Sequence, residues 1–224
     1  MPQRATRPVL ASLSCVLLVL GGCLGTPPTR FSLLPTLTDV SAPAATGERA
    51  LTIGVGPVTL PPSLDRPQIV TRASQAQLHV AEFDQWAASL QDPVARVLAE
   101  NLSLLLPTAR VVLHPWPRTT EIDQQVLLEV TRFDRMMGGE VVLVARWSLL
   151  GAAGQELTRR QARFSAPAGG PEYEATVTAM GRTLEALSRD IAATVQSLAQ
   201  PGPAGACSRL STPFSTTSAP EGLR

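Results

Sequence analysis

Residues 125–164 read QVLLEVTRFDRMMGGEVVLVARWSLLGAAGQELTRRQARF. Gln125 to Phe133 is rich in Val, Leu and Thr, residue types that suit a pleated, half-buried surface. Met137-Gly138-Gly139 turns the chain. Glu140 to Leu150 is long and apolar on both faces, which predicts a strand central in its sheet. Gly151-Ala152-Ala153-Gly154 is a four-residue hairpin loop. Gln155 to Phe164 alternates polar and apolar, and its Arg159, Arg160 and Arg163 predict an exposed or edge strand. Consecutive strands joined by short loops pair antiparallel, so this stretch is a three-stranded meander.

Such a sheet needs a cover for its apolar face, and the chain supplies one on each side. Downstream, Tyr173, Val177, Met180, Leu184, Leu187, Ile191 and Val195 or Leu198 recur at spacings of three and four, an amphipathic helix of about 26 residues. Part of that stripe could instead meet another subunit. Upstream, Asp92-Pro93 predicts a helix start, with Asp as cap and Pro at the first helical position. Val94, Val97, Leu98, Leu102 and Leu105 make one face, and Pro107 ends the helix. Before it, Leu51 to Leu60 and Gln77 to Phe83 alternate as strands, and Gln68 to Arg72, rich in β-branched residues, is the hairpin partner of the last. Arg110 to Leu113 is a further short strand. The expected fold is a single α+β domain over residues 48–200: a mostly antiparallel sheet of five to seven strands with two principal helices packed on one face.

The first 22 residues read differently. Arg4 and Arg7 precede an apolar run, Val9 to Leu20, too short to span a bilayer, which needs about 20 residues. It fits a signal peptide. Leu20-Gly21-Gly22-Cys23 resembles a bacterial lipobox, which makes Cys23 the acylated first residue of the mature chain. Cys15 leaves with the signal, so Cys207 is the only other cysteine and no intramolecular disulfide is available. Leu24, rather than Asp, follows Cys23; by the sorting rule this resemblance brings, delivery to the periplasmic face of the outer membrane is expected. Residues 23–47 read as anchor and tether, either linker throughout or with a first edge strand at Phe31 to Leu34. Residues 201–224 read as a disordered Ser/Thr/Pro tail.

Candidate chemistry is sparse. The net charge is +1, and all 19 basic residues are arginine. That balance argues against nucleic acid as a partner. His79 and His114 fall in expected strands without convergent ligands, so no metal or catalytic role is assigned. Gly54-x-Gly56 is followed by Pro57 rather than a helix, and is no dinucleotide fingerprint. No phosphate-binding loop or nucleophile elbow occurs. The expectation is no enzyme, no cofactor and no metal. Trp147 is expected in the core. Trp116, between two prolines, is the foremost candidate for an exposed aromatic contact, and Trp86 is either core or anchor. Trp116, Trp86 and Arg72 are the candidate partner contacts.

Ile53-Gly-Val-Gly-Pro-Val-Thr-Leu-Pro-Pro, Leu64-Asp-Arg-Pro-Gln-Ile-Val-Thr-Arg72, Glu82-Phe-Asp-Gln-Trp86, Ala95-Arg-Val-Leu-Ala-Glu-Asn-Leu102, Arg146-Trp147 and Leu187-Ser-Arg-Asp-Ile191 together resemble the PqiC-type auxiliary lipoproteins of ABC/MCE transport systems, membrane integrity-associated transporter subunits. The resemblance covers residues 30 to 200. It implies a non-enzymatic outer-membrane lipoprotein working with an inner-membrane permease/ATPase and a periplasm-spanning MCE-domain protein, in phospholipid transport. A ring-like homo-oligomer follows only from that partner. The alternatives are a stand-alone periplasmic ligand-binding lipoprotein and an outer-membrane assembly lipoprotein.

Overall fold

The computed structural model describes residues 27–38, 50–136 and 139–199. The expected signal peptide, Cys23, residues 39–49, the turn residues Met137 and Gly138, and the tail lie outside the described residues. The elements run β1 (Arg30–Ser32), β2 (Thr52–Thr59), β3 (Gln68–Arg72), β4 (Leu78–Trp86), α1 (Gln91–Leu105), β5 (Arg110–Leu113), β6 (Gln124–Arg135), β7 (Glu140–Gly151), β8 (Glu156–Pro167) and α2 (Tyr173–Ala199). The class is α+β, as expected.

Strand β6 is the spine of the sheet. Antiparallel β7 lies along one side of it, from Gln124↔Gly151 to Arg135↔Val141, and β8 continues the meander as an edge. The other side of β6 is shared. Parallel β2 occupies its first half, and β3 joins its end at Thr71↔Arg135. A turn at Pro61, closed by Leu64 N–H donating to Pro61 O at 2.9 Å, lets β2 and β3 follow one another in the same direction. Outside them lie β5, parallel to β2, and β4, antiparallel to β3, with β1 parallel at the β4 edge. The sheet thus has eight strands and is mixed. The parallel pairings join segments far apart in sequence, and α1 lies in the long connection that brings β5 back beside β2, as a parallel crossover requires.

A bulge decides which side chains of β6 enter the core. Register shifts between Val130 and Arg132, so one extra residue, Thr131, resets the alternation. Val126, Leu128 and Val130 face the core before it, and Phe133 faces the core after it; none is more than 2% exposed. Without the extra residue, strict alternation would turn Asp134 inward and Phe133 outward. Opposite them stand Leu149, Trp147, Ala145 and Leu143 of β7. The stripe Val177, Met180, Leu184, Leu187, Ile191 and Val195 of α2 is buried and packs over β6, β7 and β8. Each such Leu or Ile contributes about 1.5–3 kcal/mol relative to exposure. Leu198 is 47% exposed, so the stripe ends at Val195. Arg160 of β8 reaches over the Trp147 ring, 5.7 Å from its centroid, and pairs with Asp190 of α2 at 3.2 Å.

Helix α1 starts differently from expectation. Leu90 is the cap residue and offers no side-chain acceptor, while Asp92 sits within the first turn. The acceptor comes from another segment. The Asp65 carboxylate receives the Gln91 N–H at 3.1 Å and the Ser89 hydroxyl. Asn101 then ties three elements together: its Oδ1 accepts the Leu37 N–H at 2.9 Å and its Nδ2 donates to Ser188 Oγ at 3.2 Å. Leu34 and Leu37 are buried. The Pro35 ring lies so close to Gly181 of α2 that a Cβ there would collide with it. Residues 30–37 therefore belong to the packed domain, and six residues, 24–29, separate it from Cys23.

Candidate functional site

Two grooves flank the loop that enters α2. The larger, about 720 Å³, lies where β3 meets β6, lined among others by Arg72, His79, Arg135, Met136 and Pro171. Arg72, one of its lining residues, belongs to an ion cluster created by the β6 bulge. Asp134, turned to the face opposite the core, is wholly buried. It accepts from Arg72 Nη2 at 2.9 Å and Nε at 3.1 Å, and from Arg132 Nη2 at 3.0 Å and Nε at 3.1 Å. The hydrogen bond to Asp134 pushes the Arg72 guanidinium above its ordinary value, against the lowering effect of burial. Arg72 Nη1 also donates to Gln75 O at 3.1 Å. Arg135 points the other way: its Nη1 donates to Pro171 O at 2.6 Å and Thr176 Oγ1 at 2.9 Å, fastening the entry loop of α2 to β6.

The groove is mostly apolar with a cationic rim. Among its described lining residues there is no carboxylate and no thiol. Its arginines are already bonded to protein acceptors. The described residues hold no cluster of three metal-ligating side chains, and no described helix is long and apolar enough to cross a membrane.

The smaller groove, about 510 Å³, runs between β1 and the start of α2. Arg30 forks onto Asp84, Nε to Oδ1 and Nη2 to Oδ2, both at 2.9 Å. This contact raises the Arg30 pKa. Burial, and then the Asp84 charge, raise that of the Tyr173 hydroxyl. Phe31 and Leu33 stand out of this rim, 67% and 66% exposed.

The three candidate contacts do not converge. Trp86 is 2% exposed, inside the domain, and its backbone N–H donates to Pro67 O at 2.6 Å. Its side chain packs rather than docks. Trp116 is half-buried. Its ring lies over Gly54 of β2, where an added Cβ would sit 2.7 Å from Cη2, and meets His114 edge to face at 5.3 Å. His114 itself falls just past β5 rather than within a strand. Arg72 is the member that enters a site. Its partner Asp134 and the loop clamp Arg135 carried only a faint signal: an Arg-Phe-Asp-Arg run, at residues 132–135, ending an otherwise apolar strand.

A spine strand bulged in this way, two helices on one face and the N-terminal segment locked by Asn101 make a fold that can be compared with known proteins. The profile of a family described as "ABC-type transport auxiliary lipoprotein component" matches residues 33–192. The chain belongs to that family. The match spans from the segment after β1 into α2, and takes in β2 to β8 and the lining of the larger groove. Two solved structures are similar in fold. One is described as an uncharacterized protein, with 22% identity, TM-score 0.63, 75% of this chain and 99% of that one covered. The other is protein XCC0632 from Xanthomonas campestris, assigned to DUF330, with 17% identity, TM-score 0.61, 77% and 100% covered. No curated protein matches. The auxiliary lipoprotein family is not a known enzyme family, and its description ties the chain to an ABC-type transporter.

Proposed function

We propose that this auxiliary lipoprotein is a non-catalytic subunit of an ABC/MCE-type phospholipid transport system. Acylated at Cys23, it sits on the periplasmic face of the outer membrane. There it docks the periplasm-spanning MCE-domain protein, whose other end meets the inner-membrane permease/ATPase. The family match over residues 33–192 carries this reading. Two features are in keeping with it. The lipobox-like Leu20-Gly21-Gly22-Cys23 precedes the matched domain, and the larger groove is mostly apolar, with Arg72 and Arg135 in its lining.

Arg72 and Trp116 remain the proposed partner contacts. The helix-free face of β6, β7 and β8 is a broad polar surface between them, with exposed ion pairs Arg146–Glu129 at 3.2 Å and Arg159–Glu156 at 2.6 Å. Exposed pairs add little stability, about 0–1 kcal/mol each, and are free to be exchanged for partner charges.

The second reading, a stand-alone ligand-binding lipoprotein, draws on the 720 Å³ groove. A ligand anion there would compete with Asp134 for Arg72. Both readings meet one experiment: isolation of the tagged, full-length protein from cross-linked envelopes. Recovery of an MCE-domain protein supports docking. Recovery of the chain alone, with envelope permeability unchanged on its deletion, overturns it.

A further inference from the structure

Phe31 and Leu33 are the most exposed large apolar side chains among the described residues, and their backbone is fixed. Ser32 O accepts the Ala87 N–H at 3.1 Å. Leu34 is buried two residues after Ser32, and the Leu37 N–H is held by Asn101. Alternation sends Phe31 and Leu33 to the same side of this extended segment. Two large apolar groups are thus held outward at a sheet edge, since β1 pairs only with β4.

The position of these residues in the chain says what can reach them. Six residues separate Cys23 from Arg30, and two of those are Pro27 and Pro28. A fully extended chain advances about 3.3–3.6 Å per residue, so seven steps reach at most about 25 Å. An acyl anchor at Cys23 keeps the β1 edge within that radius of the headgroups. The rim carries both signs: the Arg30–Asp84 pair, with Glu172 and Glu174 across the groove. With three carboxylates to one guanidinium, this rim does not suit a strongly acidic surface, which leaves a zwitterionic one.

We propose that Phe31 and Leu33 insert into the interfacial layer of the bilayer that holds the anchor, a zwitterionic phospholipid surface. Acylation and side-chain insertion then act as two membrane contacts, and two points fix an orientation that one flexible tether cannot. The β1 edge faces the lipid, and the helix-free face of β7 and β8 is left for other partners. This proposal rests on the reading of Cys23 as the acylated residue.

The test uses the full-length protein extracted from membranes, with acylation verified by mass, in phosphatidylethanolamine-rich vesicles. Phe31→Cys and Leu33→Cys, each with Cys207→Ser, carry an environment-sensitive nitrobenzoxadiazole dye. Arg163→Cys, on the exposed face of β8, is the control. Brominated lipids are expected to remove most of the emission at positions 31 and 33, with a blue shift on vesicle binding, and to leave position 163 unchanged. An acylated, vesicle-bound protein whose dye at 31 and 33 is not quenched overturns the proposal. Energy transfer between labelled copies without lipid quenching also overturns it, in favour of a second copy on this edge. A chain that carries no acyl group removes the anchor reading itself and this proposal with it, and the mass measurement separates that case from the others.

Discussion

Asp134→Asn tests the seam between the two parts of the sheet. Among the described residues, β3 meets β6 in the ladder at Thr71↔Arg135. The Asp134 cluster reinforces that junction with two guanidiniums on one wholly buried carboxylate. Removing one partner of a buried ion pair costs about 3–5 kcal/mol, because a charge is left uncompensated. The side chains of Arg72 and Arg132 keep 24% and 22% exposure, so water takes up part of that loss. Asn also retains one acceptor. A loss of about 2 kcal/mol is the reasoned value. With a urea slope of about 2 kcal/mol/M, the unfolding midpoint falls by about 1 M. Hydrogen exchange should localise the damage. Amides of β3 and β4 exchange faster through local opening, while the β6–β7 ladder is affected only through global unfolding. An unchanged midpoint, or a loss felt equally in β7 and β4, would refute the assignment of this cluster as the clamp of the seam.

Other substitutions probe separate parts of the account. Met180→Asp places an unpaired charge at a position 1% exposed on the α2 stripe, and should cost several kcal/mol, roughly the margin of a small domain; thermal unfolding checks it, and an unchanged midpoint would contradict burial of the stripe in the monomer. Gly54→Val drives a side chain into the Trp116 ring, with an expected loss of about 1–3 kcal/mol and a red shift of tryptophan emission as the indole leaves its site. Asn101→Leu removes the acceptor of the Leu37 N–H and the donor to Ser188 Oγ; a loss of about 1–3 kcal/mol and faster proteolysis near residues 30–37 are expected, and resistance equal to the parent would contradict the locking of that segment. Cys23→Ser should move the protein from the membrane to the soluble fraction with its unfolding midpoint unchanged.

The sequence read well where local pattern and global structure agree. The meander from β6 to β8 followed from its Val- and Leu-rich runs, the alternation of β8 and the short loops between them, and the stripe of α2 from its period of 3.6, because their partners are adjacent in the chain. The parallel pairings of β2 and β3 with β6 did not, since nothing in Leu51 to Arg72 says which distant strand will take it. The start of α1 was placed two residues late, with Asp92 as cap in place of Leu90, because its acceptor, Asp65, comes from a turn 26 residues away. The bulge at Thr131 was invisible as well: a polar residue in an alternating strand looks the same whether or not it is extra. Its consequence, Asp134 buried between two arginines, could not be seen without it. Trp116 was read as an exposed loop aromatic because its prolines suggested a loop. The cover it gives Gly54 depends on a glycine more than 60 residues upstream.

We propose an outer-membrane docking role in an ABC/MCE phospholipid transporter for this chain. The most direct measurement is affinity isolation of the full-length protein from outer-membrane vesicles after cross-linking in cells, with mass spectrometry of what is bound. Recovery of an MCE-domain protein, cross-linked to the lipoprotein domain, is expected, with loss of that species when Cys23→Ser takes the protein off the membrane. An acylated protein found in the outer membrane with no MCE-domain protein attached would contradict it.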